Sequence, residues 1–480
     1  MNSKRKILSA FLSFSLLLVS FGTFGLSAAT VTERENNNST DSATPISVND
    51  TVVGNISSQE DVDYYKISVS ERGYFNINFQ HSLLSTDENA RWIMTLYRDS
   101  NMLEQVYDEN FYVNKKNVYT SKIGVEPGIY YIKLERYWYN GDQIDGTEYR
   151  LTVDFTASDY WESELNGDFS CADEISLNST YGGFIENQDD RDFFKCAFTE
   201  RGYAEIRFDH DMISTDENAH WIMTVYRDSD ELIQVYDQEF PVNKKSSVTP
   251  KIGVEPGIYY VKLERYWYNG DQIDGTEYRL TVDFTASDYW ESELNDDFVT
   301  ADEISLNSSY GGFIENSNDK DFYKISFDQN CDIKIRFDHN LITTDEYAHW
   351  IMTVYKDNIS QNVVYYGEFN VNQTSTVTPK IGVEEGFYYI KLERYWYNGD
   401  QIDGAEYKLT VLSGEQPSAS DGVGDINGDN VVNSKDLTRM MKYIAGENVE
   451  LINNADINGD GVVNSKDLTR LMKIIAGVLV

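Results

Sequence analysis

The string KLERYWYNGDQIDG begins at Lys133, Lys262 and Lys391, and it decides how the chain is organised. A second string, WIMT, recurs with the same spacing and begins at Trp92, Trp221 and Trp350. The spacing is 129 residues, a period too long for a solenoid of short repeats. It predicts three domain-sized units, at 30–161, 162–290 and 291–412.

Within a unit, apolar and polar residues alternate in short runs. WIMTVY at 221–226 and EYRLTVDF at 277–284 show the alternation, and turn residues such as Pro256-Gly257 separate the runs. This pattern is typical of half-buried strands, and helical periodicity is nearly absent. About eight such strands in each unit predict an antiparallel, jelly-roll-like β-sandwich. The predicted fold class is therefore mostly β, with three tandem sandwiches.

The quoted string also places three aromatic residues in a row in every unit. Side chains alternate along a strand, so at least one of the three should be exposed beside a hairpin rich in Asn, Asp and Gln. Exposed Trp and Tyr among carboxamides suit sugar stacking or peptide binding. The alternative is that the middle ring fills the sandwich. The candidate ligand-binding residues are Tyr137, Trp138, Tyr139, Tyr266, Trp267, Tyr268, Tyr395, Trp396 and Tyr397. The tryptophans of WIMT are expected in the core.

Each unit opens with an acidic E-x-E-x-N motif, and an acidic turn follows about 25 residues later, directly before a strand. In the second unit these pieces are ESELN at 162–166 and DDRD at 189–192. Oxygen ligands from two segments could hold calcium at the entrance of the domain. The alternative is a solvated acidic turn. The layout resembles the bacterial pre-peptidase C-terminal domain and the related collagen-binding modules of clostridial collagenases.

That resemblance implies a calcium ion that rigidifies the N-terminal linker of each unit. The implied ligands are Glu33, Glu35, Asn37, Glu60 and Asp63; Glu162, Glu164, Asn166, Asp189 and Asp192; and Glu291, Glu293, Asn295 and Asp321, with Asn318 in the weaker position. The collagen-binding relatives present tyrosines on the strand before the aromatic hairpin. Here that strand reads Glu135-Arg136 and its repeats, which argues against collagen as the ligand.

The C-terminal tail contains a different repeat, DINGDNVVNSKDLTRMMKYIAG from Asp425 and DINGDGVVNSKDLTRLMKIIAG from Asp456. Oxygen-bearing residues stand at loop positions 1, 3, 5, 9 and 12, and position 7 offers its carbonyl, a spacing that wraps a loop around calcium. The predicted ligands are Asp425, Asn427, Asp429, Val431, Asn433 and Asp436, then Asp456, Asn458, Asp460, Val462, Asn464 and Asp467. Each loop leads into an amphipathic helix, with Leu437, Met440, Met441 and Ile444 repeated as Leu468, Leu471, Met472 and Ile475.

Two EF-hand-like loop–helix units of this size predict a small all-α domain that needs metal to fold. Residues 423–480 resemble a type I dockerin. The resemblance implies calcium-dependent docking to the cohesin domain of a cellulosome scaffoldin through loop positions 10 and 11, here Ser434, Lys435, Ser465 and Lys466. Because the two copies match, docking in either orientation is expected. Lysine at position 11 differs from the small or hydroxylated residue common in the family, so scaffold specificity stays open.

The N-terminus reads as a secretory signal peptide over 1–29, with basic residues, an apolar run and Ser27-Ala28-Ala29 for cleavage. The run is too short for a stable membrane span. We therefore expect a secreted, extracellular protein associated with cell-surface cellulosomes, with no membrane span. Residues 413–422 read as a linker, and 423–480 as the docking domain.

The amino-acid composition argues against two classes of binding partner. With 40 basic and 80 acidic residues the formal charge is −40, which argues against nucleic acid and anionic membranes as partners. Three cysteines do not make a disulfide framework. Cys171 and Cys196 could pair, but their counterparts in the sister units are not cysteines, which favours free thiols.

Catalytic motifs are missing from the sequence: it contains no G-x-S-x-G and no H-E-x-x-H. His220 and His349 align with Arg91 of the first unit, which argues against a catalytic histidine there. Two functions remain. One is a non-catalytic cellulosome component whose three units bind an extracellular polysaccharide or protein, with plant polysaccharide favoured. The other is a cellulosomal hydrolase of glycosides or, less favoured, of peptides, because the carboxylate pair of a glycoside hydrolase is defined in space rather than in sequence.

Overall fold

A computed structural model gives the structure of the protein. The described residues are 29–83, 85, 89–99, 103–211, 219–228, 232–268, 270–340, 348–358, 362–397, 399–413, 424–427, 432–447, 449, 451, 455–457 and 462–475. Apart from Ala29 and Ser413, the predicted signal peptide and linker lie outside these residues. The chain divides into two compact units. The first comprises the described part of Met1–Ser70, Phe75–Thr120 and Pro127–Thr156, and the second comprises Glu71–Tyr74, Ser121–Glu126 and the described part of Ala157–Val480.

The first repeat consists of strands whose buried and less buried residues alternate, as in Asp63–Val69. Its strands are β1 (Thr30–Thr32), β2 (Thr44–Pro45), β3 (Thr51–Asn55), β4 (Asp63–Val69), β5 (Gly73–His81), β6 (Arg91–Asp99), β7 (Leu103–Tyr112), β8 (Asn117–Tyr119), β9 (Ile123–Val125), β10 (Gly128–Arg136) and β11 (Glu148–Ala157). One sheet has the order β1-β3-β11-β5-β8, and the other has the order β2-β4-β10-β6-β7. The short strand β1 pairs in parallel with β3, and the short strand β2 pairs in parallel with β4. The longer strands β10 and β11 pair antiparallel with β4 and β3.

The second and third repeats share one topology. The second contains β12 (Asp173–Glu174), β13 (Thr180–Phe184), β14 (Asp192–Phe198), β15 (Gly202–His210), β16 (His220–Arg227), β17 (Ile233–Pro241), β18 (Ser246–Val248), β19 (Ile252–Val254), β20 (Gly257–Arg265) and β21 (Glu277–Ala286). The third contains β22 (Asp302–Glu303), β23 (Ser309–Phe313), β24 (Asp321–Phe327), β25 (Cys331–His339), β26 (His349–Lys356), β27 (Asn362–Asn370), β28 (Ser375–Val377), β29 (Ile381–Val383), β30 (Gly386–Arg394) and β31 (Glu406–Ser413). The sheet orders are β12-β14-β20-β16-β17 and β13-β21-β15-β18 with β19 beside β15, then β22-β24-β30-β26-β27 and β23-β31-β25-β28 with β29 beside β25.

One hydrophobic core joins the two sheets of each of these repeats, as expected of a β-sandwich. In the second repeat Phe194 from one sheet and Ile206 from the other belong to the same buried cluster. Trp92, Trp221 and Trp350 are fully buried, as predicted. Each repeat contains two or three strands more than the eight expected, because strands of two or three residues are too short to show alternation. The cysteines Cys171, Cys196 and Cys331 are free.

Short 3-10 helices occur at Thr40–Ser42, Gly141–Ile144, Gly270–Gln272 and Gly399–Ile402. The α-helices of the described residues are α1 (Ser434–Ile444) and α2 (Ser465–Ile475), both in the tail. Asn433 caps α1 in a capping box with Asp436, which fixes where the helix begins. Met440 and Leu471 pack in a small core with Ile426. In the described part of the chain, no helix combines the length and the apolar character that crossing a membrane requires.

Candidate functional site

A cluster of buried acids lies at the start of each repeat. In the third repeat, Glu291 is fully buried, and its Oε1 accepts the backbone N–H of Phe313 at 2.5 Å. Its Oε2 lies 2.8 Å from the hydroxyl of Tyr323 and 2.8 Å from that of Tyr407. The Tyr407 hydroxyl also donates to Asp321, the first residue of β24. The opening motif and the acidic turn therefore meet around a tyrosine hydroxyl.

The second repeat builds the same arrangement from the equivalent residues. Glu162 is fully buried and accepts the backbone N–H of Phe184 at 2.6 Å. The Tyr278 hydroxyl lies 2.7 Å from Glu162 Oε2 and 2.6 Å from Asp192 Oδ2. We call these acids, with Glu33 and Asp63 of the first repeat, the entrance clusters. In each cluster, residues about 30 positions apart in the sequence lie side by side, such as Glu162 and Asp192.

Burial makes the charged form of these acids costly. Burial, with a smaller contribution from neighbouring carboxylates, raises the pKa of Asp63 to about 8 and the pKa of Glu291 to about 8. One carboxylate oxygen in each cluster has no hydrogen-bond partner among the described residues; these are Oδ1 of Asp63, Asp192 and Asp321. Unpaired buried carboxylate oxygens fit a hard cation such as calcium. Among the described residues, however, no three Asp, Glu, His or Cys side chains form a ready-made metal site. The third contact in each cluster is a tyrosine hydroxyl.

The structure sorts the predicted ligands of the repeats into two groups. Those buried or half-buried are Glu33, Asn37, Asp63, Glu162, Glu164, Asn166, Asp192, Glu291, Glu293, Asn295 and Asp321. Those exposed are Glu35, Glu60, Asp189 and Asn318. On each acidic turn, the residue that directly follows the exposed predicted ligand acts on the cluster. These residues are Asp61, Asp190 and Asp319, and their charges contribute to the raised pKa of Asp63, Asp192 and Asp321, respectively. Their recurrence could have found them, since all three repeats have an aspartate two residues before the first strand aspartate.

The entrance cluster of the third repeat is covered by the second repeat. The backbone N–H of Gly253 points to Glu293 Oε1 at 3.5 Å, and burial raises the pKa of Glu293 well above its usual value. A Cβ at Gly253 would lie 2.1 Å from the backbone oxygen of Glu291, so only glycine permits this approach. Gly124 and Glu164 form the equivalent contact at 3.4 Å. A preceding repeat therefore helps to build the site, which the local sequence of the motif does not indicate.

The aromatic triplets are the second candidate site. Trp267 is 68% exposed and Tyr268 49% exposed, and their rings meet edge to face with centroids 5.5 Å apart. The first member, Tyr266, is half-buried because it stacks on His220 with centroids 4.3 Å apart. The other repeats show the same exposure pattern. We call the three exposed pairs, Trp138–Tyr139, Trp267–Tyr268 and Trp396–Tyr397, the aromatic platforms.

Strand endings explain why two rings of each triplet are exposed. β20 ends at Arg265, so the triplet stands beyond the strand, where alternation no longer applies. Arg265 bonds back to Asp274 at 3.0 Å across the turn. Gly275 then takes φ +71°, a conformation that favours glycine, and its N–H donates to Ile185. The hairpin is thus held from both ends while its aromatic tip faces solvent.

The tail loops are the third candidate site. Asp436 is fully buried, and its Oδ1 accepts the backbone N–H groups of Ile426 and Asn427 at 2.9 and 3.0 Å. The first and last positions of the first loop are therefore side by side. Asp467 occupies the equivalent buried place in the second loop and accepts the N–H of Asn464. The predicted ligands Asp429, Val431, Asn458 and Asp460 lie outside the described residues. The oxygen-rich set that is described fits calcium.

Known proteins are similar both to the tail and to the repeats that precede it. Residues 423–476 match the family model of the Dockerin type I domain. The tail is a dockerin type I domain. Such a domain implies docking to a cohesin within extracellular cellulosomes, and it confirms the family predicted from the two loop–helix units.

Upstream of the dockerin, Collagenase ColT of Clostridium tetani (strain Massachusetts / E88) is 23% identical over 247 residues, which are 50% of this chain and 23% of that protein. The chain thus spans about a quarter of that curated relative. Two solved structures are similar at low TM-score. The pre-peptidase C-terminal domain of a Bacillus anthracis collagenase has 19% identity and TM-score 0.18, covering 23% of this chain and 94% of its own. The CBM22-1-CBM22-2 tandem of Paenibacillus barcinonensis Xyn10C has 13% identity and TM-score 0.17, covering 46% and 82%.

The dockerin presents the residues expected to contact a cohesin. Ser434 and Lys435 open α1, Ser465 and Lys466 open α2, and all four are exposed. The apolar stripe of each helix is only partly used for the core. Met440 and Leu471 are fully buried, but Met441 and Met472 are each 53% exposed. Exposed methionines are adaptable contact residues, so these helices retain apolar surface for a partner.

Proposed function

We propose that this chain is a non-catalytic, secreted cellulosome subunit that binds an extracellular polysaccharide of plant origin through its aromatic platforms. The observation that carries the proposal is the exposure of a Trp–Tyr pair at the same place in all three repeats. Flat exposed rings of this kind stack on the faces of sugars, and neighbouring amides bond to hydroxyls. Three platforms on one chain raise avidity for a polymer, since the later contacts become intramolecular.

Binding is favoured over hydrolysis by the location of the acids. Glu162 and Asp192, which lie close enough to share a tyrosine hydroxyl, are fully buried and therefore cannot reach a polysaccharide chain. The exposed hairpins provide aromatic surface instead. Release of reducing sugar from plant polysaccharides by the purified chain would overturn the binding-only proposal in favour of a glycoside hydrolase.

The platform proposal is tested by removing three exposed rings at once. Trp138→Ala, Trp267→Ala and Trp396→Ala together should abolish retention of the full chain on the insoluble polysaccharide that the wild type binds, with little change in thermal stability. The rings are largely solvated, so truncation costs little folding free energy. The matched control is Tyr119→Ala with Tyr366→Ala, two exposed tyrosines outside the hairpins. Equal retention of the triple variant would exclude the platforms.

We further propose that calcium holds the dockerin loops through Asp425, Asn427, Asp429, Val431, Asn433 and Asp436, and through Asp456, Asn458, Asp460, Val462, Asn464 and Asp467. Asp425→Ala with Asp456→Ala should abolish cohesin binding in calorimetry, and chelation should do the same to the wild type. Glu447→Ala, an exposed acid beyond α1, is the control. Cohesin binding that survives both treatments would contradict a calcium-dependent dockerin.

The near identity of the two loop–helix units supports docking in two orientations through Ser434, Lys435, Ser465 and Lys466. Replacing one Ser-Lys pair by two aspartates should leave cohesin binding intact, whereas replacing both pairs should remove it. A complete loss from either single replacement would show that only one orientation is used. The entrance clusters are proposed as additional calcium sites, because each holds an unpaired buried carboxylate oxygen.

A further inference from the structure

The first repeat has an open cleft next to its aromatic platform. The cleft has a volume of about 390 Å³ and is lined by Asn89, Arg91, Tyr112, Asn114 and Lys115. This volume falls in the range of small-molecule sites. All of its lining residues belong to the first compact unit.

The guanidinium of Arg91 joins the cleft to the platform. Its Cζ lies 3.7 Å from the ring centroid of Tyr137 and 5.3 Å from that of Tyr112. Tyr137 in turn contacts Trp138, with ring centroids 5.7 Å apart. A ligand that stacks on Trp138 would therefore extend toward a cationic group held between two aromatic rings.

Among the described residues, no acidic side chain pairs with the two cations of the cleft. Arg91 Nε donates to Asn110 Oδ1 at 2.8 Å, a neutral acceptor. In the part of the chain that the structure describes, neither Arg91 nor Lys115 forms an ion pair. Lys115 is exposed. Two such cations in one cleft stand out in a chain with 80 acidic and 40 basic residues.

The sister repeats lack this charge at the equivalent positions. His220 and His349 replace Arg91, and each faces a glutamate where the first repeat has Asn110: the distances are 3.3 Å to Glu239 and 3.7 Å to Glu368. Tyr112 is replaced by Pro241 and Asn370, and Lys115 by Lys244 and Gln373. With each histidine counted as neutral, the summed charge of these positions is positive in the first repeat, zero in the second and negative in the third.

We propose that the first repeat, unlike the other two, binds a carboxylate-bearing sugar: a uronic-acid residue of a polysaccharide, with its ring on Trp138 and its carboxylate on Arg91 and Lys115. The inference rests on the proposed function, and it names the ligand class of one platform. Arginine binds carboxylates with two parallel hydrogen bonds, which gives both strength and orientation. A polysaccharide is favoured over an acidic peptide because the flat, largely exposed face of Trp138 suits a pyranose ring.

The test compares trigalacturonate with its methyl ester by calorimetry on the full chain at fixed calcium. The ester keeps the rings and removes the charge. The wild type should bind trigalacturonate at least tenfold more tightly than the ester, and raising the salt concentration should reduce the difference. Arg91→His with Asn110→Glu, which installs the chemistry of the second repeat, should abolish the preference. Lys115→Gln, the residue of the third repeat, should weaken it.

A reciprocal variant provides the control for folding and for position. His220→Arg with Glu239→Asn should give the second repeat a preference for trigalacturonate that it lacks. Equal binding of acid and ester by the wild type would overturn the inference while leaving the proposed function intact. The inference would also be overturned if the Trp138, Trp267 and Trp396 variant lost all sugar binding while Arg91→His with Asn110→Glu kept its preference for the acid over the ester. Tight binding of a polyglutamate peptide but of neither sugar would overturn both proposals.

Discussion

Strands β19 and β29 have the same sequence, Ile-Gly-Val, and different surroundings. In β19, Gly253 is buried, and a Cβ there would lie 2.1 Å from the backbone oxygen of Glu291. In β29, Gly382 is exposed, and its Cβ would meet nothing closer than Asp332 at 3.9 Å. The difference arises because a repeat follows β19 and no described repeat follows β29. Of these two strands, only β19 therefore gives the shared sequence a structural role.

Other residues around the two strands differ in the same sense. Arg201 donates to the backbone oxygen of Trp290 and pairs with the buried Asp302 at 2.7 Å. Its counterpart in the third repeat is Asn330. Lys251 reaches Glu406 of the next repeat at 2.9 Å, whereas Lys380 pairs with Asp332 of its own repeat. We call the contacts among Arg201, Lys251, Gly253 and the start of the third repeat the joint.

The largest effect should come from the acids that the joint covers. Because burial raises the pKa of Glu291 from 4.5 to about 8, the folded state favours its protonated form. Without calcium, the contribution of this group to stability is fully present below pH 4.5 and is lost as the pH rises through about 8. Calcium should remove this loss by stabilising the ionised form. In chelator we expect the thermal midpoint of the repeats to be roughly 10–15 °C lower at pH 8 than at pH 5, and calcium to restore it. Scanning calorimetry measures both.

If the thermal midpoint of the repeats at pH 8 is the same with and without chelator, the entrance clusters do not bind calcium. Because the dockerin also loses calcium, Asp425→Ala with Asp456→Ala serves as the background for this experiment. Glu291→Gln is the complementary variant, since it removes the titrating charge and keeps the hydrogen-bonding shape. It should make the midpoint less dependent on pH, and an unchanged pH dependence would show that other groups titrate.

The next effect in size concerns Arg201. Arg201→Ala leaves the carboxylate of Asp302 buried without its cation, and we expect a loss of about 3 kcal/mol in the stability of the joint. The measurement is the rate of limited proteolysis within 287–295, the segment that connects the two repeats. Asn330→Ala, at the equivalent position with no joint, should leave that rate unchanged. Equal rates in both variants would mean that the ion pair contributes nothing to holding the repeats.

These comparisons also show what the sequence could predict. The 129-residue period, the alternation and the buried WIMT tryptophans follow from local rules, and the sandwich fold was predicted from them. Alternation predicted at least one exposed ring in each triplet, and the structure has two, such as Trp267 and Tyr268, because the triplet stands beyond the end of its strand. The two dockerin loops were recognisable because all their ligands come from one short segment.

The joint could not be predicted in this way. Gly253 and Gly382 stand in the same stretch, TPKIGVE, so their immediate neighbours do not distinguish the buried glycine from the exposed one. Glu293, which is covered by the preceding repeat, and Glu35, which is exposed, likewise occupy the same position of the E-x-E-x-N motif. The informative signal was a difference between copies, Arg201 against Asn330 and Arg91 against His220, rather than the residues that they share.

The smallest effect follows from adding one methyl group to each of the two glycines. Gly253→Ala forces the backbone of the third repeat away from β19, because its Cβ would fall 2.1 Å from the oxygen of Glu291, a rigid main-chain atom. Overpacking of this kind costs about 1–3 kcal/mol, and it should open the joint without unfolding either sandwich. Gly382→Ala adds the same methyl group at the exposed strand and should change the thermal midpoint by less than about 1 °C.

Small-angle scattering then distinguishes an open joint from a partly unfolded repeat. Gly253→Ala should increase the maximum dimension of the chain while circular dichroism still reports full strand content, and Gly382→Ala should change neither. If both variants scatter alike, the second and third repeats are not held together in solution, and the burial of Gly253 has no energetic consequence. If only Gly253→Ala scatters differently from the wild type, the following repeat gives the Ile-Gly-Val sequence of β19 its structural role. The two variants add the same methyl group to the same three-residue sequence, so the added group itself cannot explain the difference.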